Sequence, residues 1–173
     1  MAGAIPLTGR ERTFNEDDII VSKTDLKGRL IYANDIFLDI AGYSEAETIG
    51  QPHSFIRHPE MPRCIFKLLW DTIQDKREIF AYVVNRCKNG DHYWVLAHVT
   101  PTIEPDGSVS GYHSNRRVPR KESLNVIQPL YSQLLAEEGR HANKKDGLAA
   151  SEAMLQGMLR DKGTRYDKFI LSI

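Results

Sequence analysis

The sequence is poor in cysteine, in unbroken apolar stretches and in net charge, and each shortage removes a class of function. Only two of 173 residues are cysteines, Cys64 and Cys87. Neither stands in a Cys-x-x-Cys pair, and two thiols are too few for a zinc site of the usual kind. They read as reduced thiols of a cytoplasmic protein. No apolar run approaches the roughly 18 residues that span a bilayer. The opening, MAGAIPLTGRERTF, lacks the long apolar stretch of a secretion signal. The expectation is a cytoplasmic protein with no direct membrane insertion. Lys+Arg and Asp+Glu both number 23, so the formal net charge is zero. A general nucleic-acid binder needs a basic excess to neutralise phosphates, so that class is set aside. Repeats and low-complexity segments are missing too. What is present is a 41% hydrophobic content, enough to fill one core and carry an appendage.

Residues 1–18 are polar, end in the acidic run Glu16-Asp17-Asp18, and read as an arm or cap. The β-branched segment 19–24 and the segment 29–33 flank the turn Asp25-Leu26-Lys27-Gly28, which predicts a hairpin. Asn34 is placed to cap a helix over 35–41, and Gly42 stops it. Ser44 and Glu47 have capping-box spacing for one further turn. Two prolines forbid a continuous helix through HSFIRHPEMP, residues 53–62. Ile65, Phe66, Leu69, Trp70 and Ile73 then recur at three and four residues, the period of a single helix face. Segments 79–86, 92–103 and 108–117 are strand-like. Asn89-Gly90 supplies the strongest hairpin signal in the chain between the first two. From Pro119 onward the pattern is helical, with an expected kink at Pro129 and a polar link, HANKKDG, before a second short helix. The apolar tail 166–173 is expected to dock. This order predicts an α+β fold: a five-stranded antiparallel sheet with helices on one face and a C-terminal helical extension. The expected division is an arm over 1–18, a sensor domain over 19–118 and the extension over 119–173.

The stretch TDLKGRLIYANDIFLDIAGYSEAETIGQP resembles the opening of the PAS superfamily. RHPEMP, the helix carrying Trp70, and NRCKNGDHYWV are more specific. They are similar to the FAD-binding PAS domain of Aer-type aerotaxis receptors, which sense redox or respiratory state. That resemblance implies a flavin, FAD, as cofactor, with Arg57 and His58 retaining it. Glu60 stands where the group has Asp, one methylene longer. Asn34, Trp70 and Asn85 match positions of the group. Asn115 lies near where light-sensing flavin domains place an amide beside the reactive ring nitrogen. The chain departs from the group at Glu78-Ile79-Phe80, where Pro-Trp is usual, and at His98 and Asn115, both expected at the cofactor site to alter flavin potential or pocket shape. The photochemical Asn-Cys-Arg-Phe motif is missing. The membrane and methyl-accepting regions of the classical receptors are also missing. A stand-alone sensor docking on a separate chemoreceptor-like or other signalling transducer is therefore implied, with a homodimer formed through the PAS domain or the C-terminal helix.

A flavin ring has apolar faces and one polar edge, so its pocket needs apolar walls and a few fixed amides. Trp70, Phe37, Phe55, Phe66 and Tyr93 are the candidate walls; Asn85 and Asn115 are the candidate edge partners. Arg57 is the candidate phosphate clamp, because its planar fork holds two oxygens at once. Rotation of an amide at 85 or 115 is the expected route from ring to sheet. Plainer roles stand beside these: Trp70 as core, Asn34 as a helix cap, the 124–135 stripe as ordinary amphipathic packing. His92 and His98 would lie roughly 20 Å apart at about 3.3 Å per residue, too far to share a metal. His53, His58 and His98 leave haem as an alternative, and a cofactor-free dimerisation or scaffold module is another. No acid, base and nucleophile constellation stands out, so an enzyme is not expected.

Overall fold

Alternation of apolar and polar residues in the five strand-like segments gives one antiparallel sheet, seen in a computed structural model that describes residues 5–173. The strands are β1 (Ile20–Thr24), β2 (Leu30–Ala33), β3 (Ile79–Arg86), β4 (His92–Ile103) and β5 (Val109–Arg117), in the order β2-β1-β5-β4-β3. The hairpin and the late trio read from the sequence meet where β1 pairs with β5. Between them the chain crosses one face as α1 (Asp35–Ala41), α2 (Glu45–Thr48), a 3-10 turn (His53–Ile56) and α3 (Arg63–Gln74). Ile65, Leu69 and Ile73 of α3 are buried, as their spacing requires.

The extension forms α4 (Lys121–Gly139), α5 (Lys144–Asp161) and α6 (Tyr166–Ser172). α4 continues through Pro129 as one helix. α5 begins inside the expected polar link and runs 18 residues, because Asn143 is an N-cap whose side chain accepts from the Lys145 N–H. Gly147 belongs to its packing: a Cβ there would lie 2.5 Å from the Glu138 carbonyl oxygen of α4.

β3 is a sheet edge, and an edge strand with free backbone groups invites pairing with another chain. Here the chain covers it. The Val84 N–H donates to Met61 Sδ at 3.3 Å, and the Tyr131 hydroxyl of α4 donates to the Tyr82 carbonyl at 2.6 Å. The apolar tail docks as expected, with Phe169 and Ile170 of α6 buried against β3. The Trp94 ring lies 6.0 Å from that of Tyr131. Tyr82 and Trp94 belong to the sheet face opposite α1–α3. The helices are thus not confined to one face: the extension wraps the β3 edge onto the other. Residues 5–12 lie along the β3–β4 turn, with hydrogen bonds between Arg10, Arg12 and His92. Residues 1–4 of the expected arm lie outside the described residues. No helix among the described residues is long and apolar enough to cross a membrane.

Candidate functional site

Small side chains on the central strands leave space under α3. Ala81, Ala97 and Arg116 form one cross-strand row, and the alanines fill little of it. The result is a cavity of about 320 Å³ between the sheet and α3. Phe66, Leu69 and Trp70 wall it from the helix; Val83, Ala97 and Val99 wall it from the sheet. Trp70 closes one end against the β1–β2 turn. Gly28 (φ +74°) is needed there twice over, since a Cβ would lie 2.9 Å from the indole. The Tyr112 ring meets Trp70 edge-on at 5.5 Å.

The polar side of the cavity is built on Arg116, which is 3% exposed. Its Nη2 donates to Ser22 Oγ at 2.6 Å and to His53 Nε2 at 2.6 Å. Arginine only donates, so His53 accepts through a neutral ring. Burial, reinforced by the Arg116 charge, pushes the His53 pKa down to about 3. Burial also lowers Arg116 to about 10, against a small opposing effect of Tyr93, so the guanidinium stays charged at neutral pH. No ion pair among the described residues involves Arg116.

A buried donor without a partner is costly. Five buried polar atoms without a partner belong to residues around this cavity: the donors Arg116 Nη1, Asn85 Nδ2 and Arg57 Nε, with Ser114 Oγ and His113 Nε2. The Tyr93 hydroxyl, across from Asn85 in the β3–β4 register, is also buried without a partner. Arg57 sits with its guanidinium 3.8 Å over the Phe66 ring, and its backbone bridges to Asn85. The chemistry of this set calls for a ligand with a flat apolar body and an edge of hydrogen-bond acceptors, carrying negative charge toward Arg57. An isoalloxazine with a phosphorylated tail fits that demand.

The structure gathers Arg57, Trp70 and Asn85 in the cavity, with Phe66 beside them. Tyr93 lies on the same sheet face, fully buried. Five other expected site residues fall elsewhere. Asn34 is spent on structure: Oδ1 accepts from the Val21 and Phe37 N–H groups and Nδ2 donates to the Ile19 carbonyl. His98 and Asn115 are register partners on the opposite sheet face, where His98 stacks on Phe80 at 4.2 Å and meets Glu78 at 2.7 Å. Side chains alternate along a strand, and the cavity lined by Ala97, Ser114 and Arg116 leaves out His98 and Asn115. The amide route therefore rests on Asn85 alone. His58 is buried but lines a second, more open cavity, and the Glu60 side chain is 71% exposed beside it. Phe37 packs near His53 and Phe55 against Tyr43, both outside the cavity lining. Of the candidate haem ligands only His53 reaches the cavity, and its Nε2 is engaged by Arg116. Arg116 and Ser22 were not singled out in the sequence, and His53 only as a candidate haem ligand. Arg116-Arg117 held a signal, since alternation turns one of two adjacent arginines inward.

His53 makes stability depend on pH. Its folded value of about 3 lies below the ordinary 6.5, so the unfolded chain binds the proton first. The contribution is complete above pH 6.5 and is lost as pH falls toward 3. Unfolding free energies from urea titrations between pH 7 and pH 5 are expected to fall by up to about 1.4 kcal/mol per pH unit from this group. His53→Gln, which keeps an acceptor for Arg116 and does not titrate, is expected to flatten that slope. An unchanged slope in the variant refutes the assignment.

The PAS-fold family pattern matches residues 30–116. The aerotaxis receptor of Escherichia coli (strain K12) is 38% identical over 130 residues, 75% of this chain and 26% of the receptor. The nitrogen fixation regulatory protein of Klebsiella oxytoca is 28% identical over 99 residues, 57% of this chain and 20% of that protein. The chain thus spans about a quarter or less of the length of these relatives. A solved light-oxygen-voltage domain, studied with a flavin analogue, superposes with a TM-score of 0.57 at 16% identity, covering 66% of this chain and 86% of that one. That likeness extends to the fold alone. A five-stranded sheet in the order β2-β1-β5-β4-β3, a cavity under α3 and a family match over half the sequence lead to one conclusion: the chain belongs to the PAS-fold family.

Proposed function

We propose that this chain is a flavin-binding redox or oxygen sensor that reports to a separate transducer, in the manner of aerotaxis or energy taxis. The observation that carries the reading is the set of buried donors without partners, Arg116 Nη1, Asn85 Nδ2 and Arg57 Nε, around a cavity walled by Trp70 and Phe66. Each lacks an acceptor; the carbonyls and ring nitrogens of a flavin edge offer acceptors to Arg116 and Asn85, and a phosphate of its tail offers one to Arg57. The likeness to an aerotaxis receptor supports FAD as the flavin and motility signalling as the output. The cytoplasm is the compartment this reading requires, with a second copy or a transducer as partner.

When bound, a flavin supplies reversible electron transfer. The chain's residues place and tune it. Trp70 and Phe66 exclude water from its faces. Arg116, fixed by Ser22 and His53, favours any gain of negative charge in the cavity. Asn85 can offer either the amide N–H or the amide oxygen to the ring edge by rotating. Arg116 lies on β5 between β1 and β4, so a shift there reaches both halves of the sheet.

The test is an absorption spectrum of the purified full chain, with extraction of whatever it holds. The expected result is a yellow protein releasing one FAD per chain, and colour lost in Asn85→Ala. A preparation that stays colourless in excess FAD overturns the reading in favour of a cofactor-free module. A red preparation overturns it in favour of haem.

A further inference from the structure

A second cavity of about 490 Å³ opens between the segment around Arg57 and the helical extension. It is lined by His58, Pro59 and Met61 on one side and by Leu135, Glu138 and Lys144 of α4 and α5 on the other, with Arg63 at the seam. Arg57 lines this cavity and the first one, so the two meet at a single residue. The first cavity, at about 320 Å³, is near the lower end of the range of roughly 300–1,000 Å³ that holds drug-sized ligands. A flavin dinucleotide has two ring systems joined by a diphosphate, and the first cavity offers one apolar slot.

We propose that the second cavity receives the diphosphate and adenosine half of FAD, so that the C-terminal extension completes the cofactor site and Lys144 sets the preference for dinucleotide over mononucleotide. This rests on the flavin reading above. Charge argues for it. Glu138 is the only carboxylate in the lining and is paired with Arg63 Nε at 2.9 Å. Arg57 and Lys144 are left without an ion-pair partner among the described residues. Two cations outside any ion pair thus belong to residues lining one cavity, as many as the charges of a diphosphate diester. Arg57 Nε is buried with no acceptor, and a phosphate oxygen would supply one. Beyond the charges, Leu135 and Pro59 offer apolar surface for a purine. The backbone of Lys144 is fixed, since its carbonyl accepts from Arg63 Nη1 at 2.8 Å, while its side chain is exposed and free to swing onto a ligand.

The experiment measures binding of FAD, FMN and riboflavin to the full chain after removal of bound ligand. Wild type is expected to prefer FAD. Lys144→Glu is expected to weaken FAD about tenfold, with a steeper salt dependence lost, and to leave FMN and riboflavin within about twofold. Leu135→Trp, which fills the second cavity, is expected to give the same pattern. Arg57→Gln is expected to weaken FAD and FMN together and spare riboflavin. Equal loss of FAD and FMN in the Lys144 and Leu135 variants overturns the proposal. So does unchanged FAD binding in both, or a wild type that binds FMN as tightly as FAD; in each case the flavin reading stands. A wild type that binds none of the three overturns both.

Discussion

Arg116→Met is expected to make the chain more stable without ligand and unable to hold flavin. The two effects share one cause. Arg116 keeps its charge while 3% exposed, and no carboxylate repays its loss of water. Met has similar length and no charge, and Ser22 Oγ and His53 Nε2, already 3.3 Å apart, can then bond each other. The expected gain in unfolding free energy of the ligand-free chain is on the order of 1–3 kcal/mol. Ligand binding moves the other way, because the variant removes the charge that faces the acceptor edge. Saturating FAD stabilises a binding-competent chain by about 2.7 kcal/mol at a hundredfold excess over Kd. The ranking of wild type and variant in thermal denaturation should therefore invert when FAD is added. A variant that is less stable without ligand and still yellow would make Arg116 a structural residue. This is the usual conflict between a functional site and stability, confined to one side chain.

Most of the fold was legible because it is local. Strand bounds of 79–86 and 92–103 follow from alternation and from Asn89-Gly90, and the structure has the same bounds. The Asn34 cap and the Ser44–Glu47 capping box are short-range chemistry and appear as read. The site was legible only in part, because it depends on which face each strand residue takes. Tyr93 and His98 were both placed at the pocket, yet they are five residues apart on an unbroken strand, an odd number that puts them on opposite faces. Parity alone separates them. Asn115 needed more: the β4–β5 register, set by the turn at Pro105-Asp106-Gly107 and by an irregularity near Thr102. His53 lies in a 3-10 turn between prolines, a segment with no periodicity to read. The extension's route around β3 was illegible for a different reason. Helical stripes show that a helix buries a face, never which surface it buries it against.

Glu138→Ala is expected to cost about 3–5 kcal/mol and to free the extension from α3. Glu138 is 7% exposed on α4, and its carboxylate ties three elements together. It accepts from Arg63 Nε at 2.9 Å, from the Cys64 N–H at 3.1 Å and from Ser151 Oγ of α5 at 3.1 Å. Arg63 can turn to water when the carboxylate is removed, since a third of its side chain is already exposed. The Cys64 N–H cannot, and it loses its partner in a buried place. Glu138→Gln keeps an acceptor for it and should cost less. The consequence reaches the cavity through α3. The helix whose first turn Glu138 holds is the one that carries Phe66, Leu69 and Trp70 against the ligand space. In hydrogen exchange, amides of α5 and of the first turn of α3 should lose protection together in Glu138→Ala, while β4 and β5 keep theirs. Independent loss in the two helices, or a denaturation midpoint within error of wild type, would show that the extension is held by its apolar contacts with β3 alone. Joint loss would identify Glu138 as the joint through which displacement of Trp70 and Phe66 is carried to the C-terminal helices.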